Sequence, residues 1–496
     1  MASLKSLAKD TAIYGLSSII GRFLNYLLVP LYTAQLSAQS GGYGIITNLY
    51  AYTALLLILL TFGMETSFFR FSSKENAKPQ EVYSTTLLLV GGIGILYLIL
   101  LALFYQPLAS LLGYADHPSY MVMIFACVAF DAFQCIPFAY LRYQQKAIKF
   151  AILKLSYILV NIALNLLFFI VLPAWNIIRI DVGYAFAINL VCSVGLTFFF
   201  YKELTGFPYV FNKQLARRML SYAWPILLLG ITGILNQTAD KIIYPLLRNT
   251  HQGQIELGIY GACTKIAMIM AMITQAFRYA YEPFVFGKAN DKDNRTTYAT
   301  AMKYFIIFTL LAFLIVCGYL DIIKYILGKD YWEGLSVVPV VMAAEIMMGI
   351  YFNLSFWYKL IDRTIWGAWF SGAGCLVLIL VNVLFIPRYG YMACAWGGVA
   401  GYGTAMLLSY WVGQKNYPIR YPLKSISVYV VIAASFTAIM YLLPSSWPLY
   451  LRLMANTMLI LLFVGHIIWH DLPLSQLPVI GKHFRHSLPH LHNAHE

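Results

Sequence analysis

The chain has 496 residues, 60% of them apolar and only 11% charged, with a mean hydropathy of +0.71. An ordinary soluble domain is about 45–50% apolar and about 25% charged, so this composition excludes a soluble enzyme, a nucleic-acid-binding module and a disordered regulator. The formal charge of +14 then reads as the Lys and Arg excess that cytoplasmic loops of membrane proteins collect, with no nucleic acid as partner.

In chain order, the first residues (MASLKSLAKDTAIYGLSS) lack a short apolar core followed by a small-residue cleavage site, so the first hydrophobic segment is expected to remain as a span. Apolar segments then follow at 11–35, 43–63, 82–104, 119–140, 152–172, 182–201, 219–246, 257–280, 299–322, 335–358, 364–386, 390–413, 424–443 and 449–469. Each is long enough to cross hydrocarbon as a helix of roughly 20 residues. The expected fold is an all-α polytopic membrane protein of about fourteen spans. Two spans look interrupted: the first by Arg22 and Pro30, the seventh by Pro225 and Pro245. Broken helices are tolerated where neighbours satisfy the freed backbone groups.

With helix-end residues assigned to the adjoining connection, 24 of the 34 Lys and Arg fall in the termini and one alternate set of connections. Six fall in the other set, and four (Arg22, Lys241, Lys265 and Arg278) lie within spans. This asymmetry places both termini in the cytoplasm. The external connections are too short for a large catalytic loop. All seven cysteines lie in apolar stretches without a CxxC pair, as small packing residues. The tail beyond residue 470 carries His483, His486, His490, His492 and His495, which read as a flexible, partly protonated cytoplasmic tail rather than a metal tract.

A shift of 217 positions brings Tyr43-Gly44 onto Tyr260-Gly261, Glu65 onto Glu282 and Phe69 onto Phe286. It also brings Arg142 onto Lys359, Lys146 onto Arg363, Asn165 onto Asn382 and Phe168 onto Phe385. The expected organisation is an N-lobe at 1–210 (spans 1–6), a C-lobe at 211–420 (spans 7–12), two further spans at 421–470, and the tail at 471–496. Copies of six spans keep the same orientation, so this is a parallel repeat of the kind that transporters use for alternating access.

Ionisable groups at membrane depth face a cavity or a partner. Arg22, Lys265 and Arg278 are candidate substrate-binding cations for an anionic cargo. The structural alternatives are an acid partner for Arg22 and a local ion pair with Glu282 for Arg278. Asp131 and Glu345, on equivalent helices, and Asp240 are candidates for H+ or Na+ coupling. Their alternatives are buried pairing and, for Asp240-Lys241, interfacial snorkelling. Successive side chains point about 100° apart on a helix, so Asp240 and Lys241 need not pair. Glu65 and Glu282, with Arg70 and Arg278 nearby, are inner-gate candidates, or else solvated helix ends. No GxxxxGK[ST] loop, catalytic motif, metal set or resident cofactor is visible.

Five segments carry a family resemblance: YGIITNLYAYTALLLILLTFGMETSFFRF (43–71), IPFAYLRYQQKAIKFAILKL (136–155), NQTADKIIYPLL (236–247), GIYGACTKIAMIMAMITQAFRYAYEPFVF (258–286) and FIPRYGYMACAWGGVAGYGTAMLLSYWVGQKNYPIRYP (385–422). The chain resembles polysaccharide transporters, the O-antigen-type flippases of the MATE-like MOP superfamily, over about residues 5–445. The resemblance implies a non-enzymatic flippase of the bacterial cytoplasmic membrane. Its cargo would be an undecaprenyl-pyrophosphate-linked oligosaccharide, its surroundings membrane lipids and its neighbours the glycan polymerase and biosynthesis machinery. It also implies a cationic cavity to which Arg22 and Lys265 or Arg278 contribute. A cation-coupled drug antiporter and a peptidoglycan lipid II flippase share the fold and are the alternatives.

Overall fold

The computed structural model describes residues 20, 24, 26–73, 78–287, 294–361, 363–444 and 446–471, excluding the side chains of 279, 280, 282–284, 286 and 287. Arg22, the tail histidines and the Glu282 side chain lie outside the described residues. The described chain is helical and without strands. The helices used below are α1 (Leu28–Gln35), α2 (Gly42–Thr61), α3 (Met64–Ser72), α4 (Pro79–Leu111), α5 (Pro118–Tyr143), α6 (Ala147–Leu166), α7 (Gly183–Phe199) and α8 (Lys213–Leu247). They continue as α9 (His251–Gly287), α10 (Asn294–Gly318), α11 (Val337–Leu354), α12 (Ile365–Tyr389), α13 (Tyr391–Asn416), α14 (Leu423–Leu442) and α15 (Leu449–His470).

Among the described residues, eleven helices are long and apolar enough to cross a membrane. Three expected segments are not among them. The first is described only in part, through α1. α7 is apolar but has 17 residues. α13 has 26 residues, but its glycines and aromatics dilute its hydropathy.

The burial pattern suits lipid. α4 buries Ser84, Thr85 and Thr86 while exposing Ile95, Leu96 and Leu103. Apolar side chains can face hydrocarbon at no cost, whereas polar groups must find partners inside.

The chain divides into two compact units. One comprises residues up to 265, 326–337 and 365–405; there α5 packs against α4, α7 and α2, and α8 against α2 and α12. The other comprises 266–325, 338–364 and the residues from 406 onward; there α10 packs against α14 and α15.

Two local features of the first unit correct the reading of broken helices. α8 runs unbroken through Pro225 and Pro245. Proline at 245 cannot donate to the carbonyl of Lys241, one turn earlier. Asn48 Nδ2 donates to that carbonyl at 2.7 Å, and Tyr114 Oη donates to Asn48 Oδ1 at 2.7 Å. The break falls instead between α2 and α3. There Phe62 and Gly63 both take positive φ, 49° and 66°, and redirect the chain before Glu65.

Candidate functional site

The first cluster lies in the first unit on α8 and α9. Asp240 and Lys241 do pair, although they are neighbours in sequence: the long lysine stem folds back so that Nζ donates to both carboxylate oxygens at 3.0 Å. The same ammonium donates to the carbonyl of Gln237 at 3.1 Å and stands 5.5 Å from the Tyr260 ring centroid. Tyr260 Oη closes the cluster by donating to Asp240 Oδ2 at 2.6 Å. Asp240 is therefore committed to Lys241 and Tyr260.

Lys265 follows on α9. The helix starts at His251, earlier than its hydropathy suggests, so Lys265 stands fourteen residues in, about 21 Å at 1.5 Å per residue. It is half-buried and close enough to Lys241 for their charges to repel. Among the described residues Lys265 has no hydrogen-bond or ion-pair partner. Lys241 and Lys265 with one carboxylate leave a net positive charge, a setting that favours an anion. At the α8–α9 turn, Arg248 Nη1 holds Glu256 at 2.8 and 3.0 Å while its Nη2 donates to the carbonyl of Pro387 at 3.2 Å. Tyr244 donates to the same Glu256 carboxylate.

The second cluster surrounds Asp131 on α5. Ser193 of α7 donates to its carboxylate, and Cys127 Sγ lies 3.8 Å from Oδ2. Gln134 Nε2 holds this part of α7 through the Ser193 carbonyl at 2.6 Å and Thr197 Oγ1 at 2.9 Å. Asp131 has no basic partner among the described residues.

A polar chain in the same unit was missed in the sequence. Tyr32 Oη donates to Asn165 Oδ1 at 2.7 Å, and Asn165 Nδ2 to the Asn161 carbonyl at 2.8 Å. Asn161 Nδ2 then donates to Asn189 Oδ1 at 3.2 Å, and Asn189 Nδ2 to Tyr50 Oη at 2.5 Å. Asn161 and Asn165 stand four residues apart, one helical turn, and that spacing of amides inside an apolar run was the available signal.

The third cluster is at Glu65. Its ion pair is with Arg142 of α5, not Arg70, and Cys135 Sγ lies 3.3 Å from Glu65 Oε2. Arg70 stands over the Tyr222 ring at 4.2 Å. The repeat already aligned Arg142 with Lys359 as it aligned Glu65 with Glu282, but Arg142 lies 77 residues from Glu65, and only folding joins them.

In the second unit, Arg278 stands 5.0 Å over the Phe352 ring, and Glu345 is half-buried on α11. The Arg278–Glu282 pair falls outside the described side chains, as does Arg22.

The model of the family described as "Polysaccharide biosynthesis protein" matches residues 7–280. Among solved structures, the chain is similar to the lipid II flippase MurJ in an inward closed conformation, with a TM-score of 0.71 and 14% identity, over 92% of this chain and 98% of that one. It is also similar to an inward-facing MATE-family multidrug resistance transporter of the MOP superfamily, with a TM-score of 0.62 and 15% identity, over 82% and 97%. A third is the MATE multidrug transporter DinF-BH, with a TM-score of 0.58 and 15% identity, over 82% and 96%. Among curated proteins none matches. At these identities the likeness is one of fold, that of a multi-pass helical membrane protein.

Proposed function

Starting from a chain that belongs to the polysaccharide biosynthesis protein family, we propose that it is a flippase for an undecaprenyl-pyrophosphate-linked oligosaccharide. The observation that carries this reading is Lys265: a half-buried ammonium on a membrane-spanning helix, beside Lys241, with no counter-ion among the described residues. Such a charge is costly in hydrocarbon unless an anion joins it. A diphosphate supplies that anion, and a polyprenyl tail need never leave the lipid. Arg22 and Arg278 are the further cations of this reading.

The chain works in the bacterial cytoplasmic membrane with both termini in the cytoplasm. Residues 1–210 and 211–420 act as two six-helix lobes in alternating access, with 421–470 appended and 471–496 as a tail. Glu65, Arg70 and Glu282 contribute to an inner gate. Coupling to H+ or Na+ runs through Asp131, Glu345 or Asp240; Asp131 is the favoured group because it lacks a basic partner among the described residues. The glycan polymerase and biosynthesis machinery supply and receive the cargo. The family match favours a polysaccharide precursor over lipid II, and a cation without a counter-ion among the described residues favours an anionic cargo over a drug cation.

The test is glycan export in a strain lacking the protein. Lys265→Met should abolish export with the protein still in the membrane, while Lys265→Arg should keep a substantial share. Normal export with Lys265→Met would end this reading.

A further inference from the structure

In the second unit, α15 ends on two histidines that the proposed function leaves unused. His466 and His470 stand four residues apart, about one helical turn, so their side chains share a face. Their ring centroids lie 4.5 Å apart, with the planes 55° from parallel. Tyr429 of α14 packs edge-on against His466, centroid to centroid 5.1 Å, and holds that ring on the shared face. His466 is half-buried and His470 exposed. Neither imidazole has a hydrogen-bond or ion-pair partner among the described residues. The carboxylate beside them is committed elsewhere. Asp471 pairs with Lys303 and accepts from Tyr429 at 2.5 Å, and Tyr304 Oη donates to the Asp471 carbonyl at 3.1 Å. These contacts fix the end of α15 against α10 and α14, and they neutralise the Lys303 ammonium, so that it does not repel an arriving cation.

Two imidazoles one turn apart on a helix are a chelating pair, because one nitrogen of each can reach the same ion without moving the backbone. The dimensions fit. Zinc–nitrogen bonds of about 2.0–2.1 Å set two rings on a shared ion with their centroids about 5 Å apart, a small side-chain rotation from the observed spacing. Imidazole nitrogen suits zinc, copper or nickel, whereas calcium and magnesium take oxygen. We propose that His466 and His470 form a binding site for a divalent transition-metal ion such as zinc. No group of three or more His, Cys, Asp or Glu stands there among the described residues, so the protein supplies two ligands and water completes the coordination. The bound ion bridges the last turn of α15 and stabilises it by mass action. This site is independent of the flippase reading.

The test is histidine footprinting of the full-length protein in lipid nanodiscs. Diethyl pyrocarbonate labels free imidazoles, and mass spectrometry reads each histidine separately, with and without zinc. Once zinc exceeds its dissociation constant about tenfold, labelling of His466 and His470 should slow together by about tenfold, since only the free rings react. Chelation makes each protection depend on the other ring. At the same zinc concentration His470→Ala should restore labelling of His466, and His466→Ala should restore labelling of His470. His470 is exposed, so its replacement leaves the packing of α15 intact, and an unchanged Tm without zinc checks this for both variants. Absence of protection in wild type overturns the site. So does protection of one ring that survives loss of the other, because that is the behaviour of two separate single-histidine contacts.

Discussion

Gly44 and Gly258 bring the backbones of α2 and α9 together: a Cβ on Gly258 would stand 2.9 Å from the Gly44 amide nitrogen, and one on Gly44 1.9 Å from the Gln254 carbonyl oxygen. One turn on, a Cβ at Gly261 would stand 2.3 Å from Thr47 Oγ1. The contact therefore uses both members of the repeat-related pair Gly44 and Gly261. Gly44→Ala should lower the apparent Tm of the purified protein, because a backbone carbonyl cannot yield as a side chain does. Gly92→Ala, which meets nothing within 4 Å, is the control. Equal melting behaviour of the two variants would contradict the close approach.

Asp131→Asn keeps the shape of the Ser193 contact but removes the carboxyl that can take up a proton or a sodium ion. In proteoliposomes, transport by this variant should lose its dependence on an imposed pH or sodium gradient. Glu345→Gln, measured beside it, separates the two candidates. Unchanged gradient dependence in both variants would remove these residues from coupling.

Glu65 and Arg142 are about one-third exposed, at 39% and 33%, so solvent screens the pair and its contribution to stability is at most about 1 kcal/mol. Its effect should appear in transport instead. Glu65→Gln and Arg142→Gln should each alter the export rate, and the exchange Glu65→Arg with Arg142→Glu should recover part of it. If the exchanged pair behaves as the sum of the single variants, the two residues do not act together.

Asp471 ends α15 and binds Lys303 and Tyr429, whose hydroxyl donates at 2.5 Å. Burial pushes its carboxyl upward, but the Lys303 ammonium and the Tyr429 hydroxyl outweigh burial and hold it below the ordinary carboxylate value. A carboxyl depressed in the folded state stabilises fully above its unfolded value. That contribution fades as pH falls through the folded value. Wild type should therefore lose more Tm than Asp471→Asn on acidification through and below the ordinary carboxylate range. Parallel Tm curves would show that the contact carries no linkage.

Much of the fold was legible because hydropathy and helical period are local. Runs such as 82–104 announce α4 without any knowledge of its neighbours, and the repeat announces the kinship of Tyr43-Gly44 with Tyr260-Gly261. Legibility of the candidate sites was partial. Hydropathy marked Lys265 and Asp131 as groups out of place, since each charge interrupts an apolar run. It could not say that Lys265 stands beside Lys241 without a counter-ion among the described residues, nor that Asp131 is held by Ser193, 62 residues away.

Proline at 245 marks the division between sequence and structure. By itself the sequence determined that an apolar segment passes there and that one carbonyl loses its helical donor, because both follow from the chemistry of a few adjacent residues. Whether the helix breaks was decided by Asn48, which lies 193 residues from Lys241 and donates to its carbonyl. In the same way folding, not proximity in sequence, chose Arg142 over Arg70 for Glu65. Such partners are set by packing between distant helices, and a hydrogen bond or ion pair forms only where that packing brings the two groups within about 3 Å.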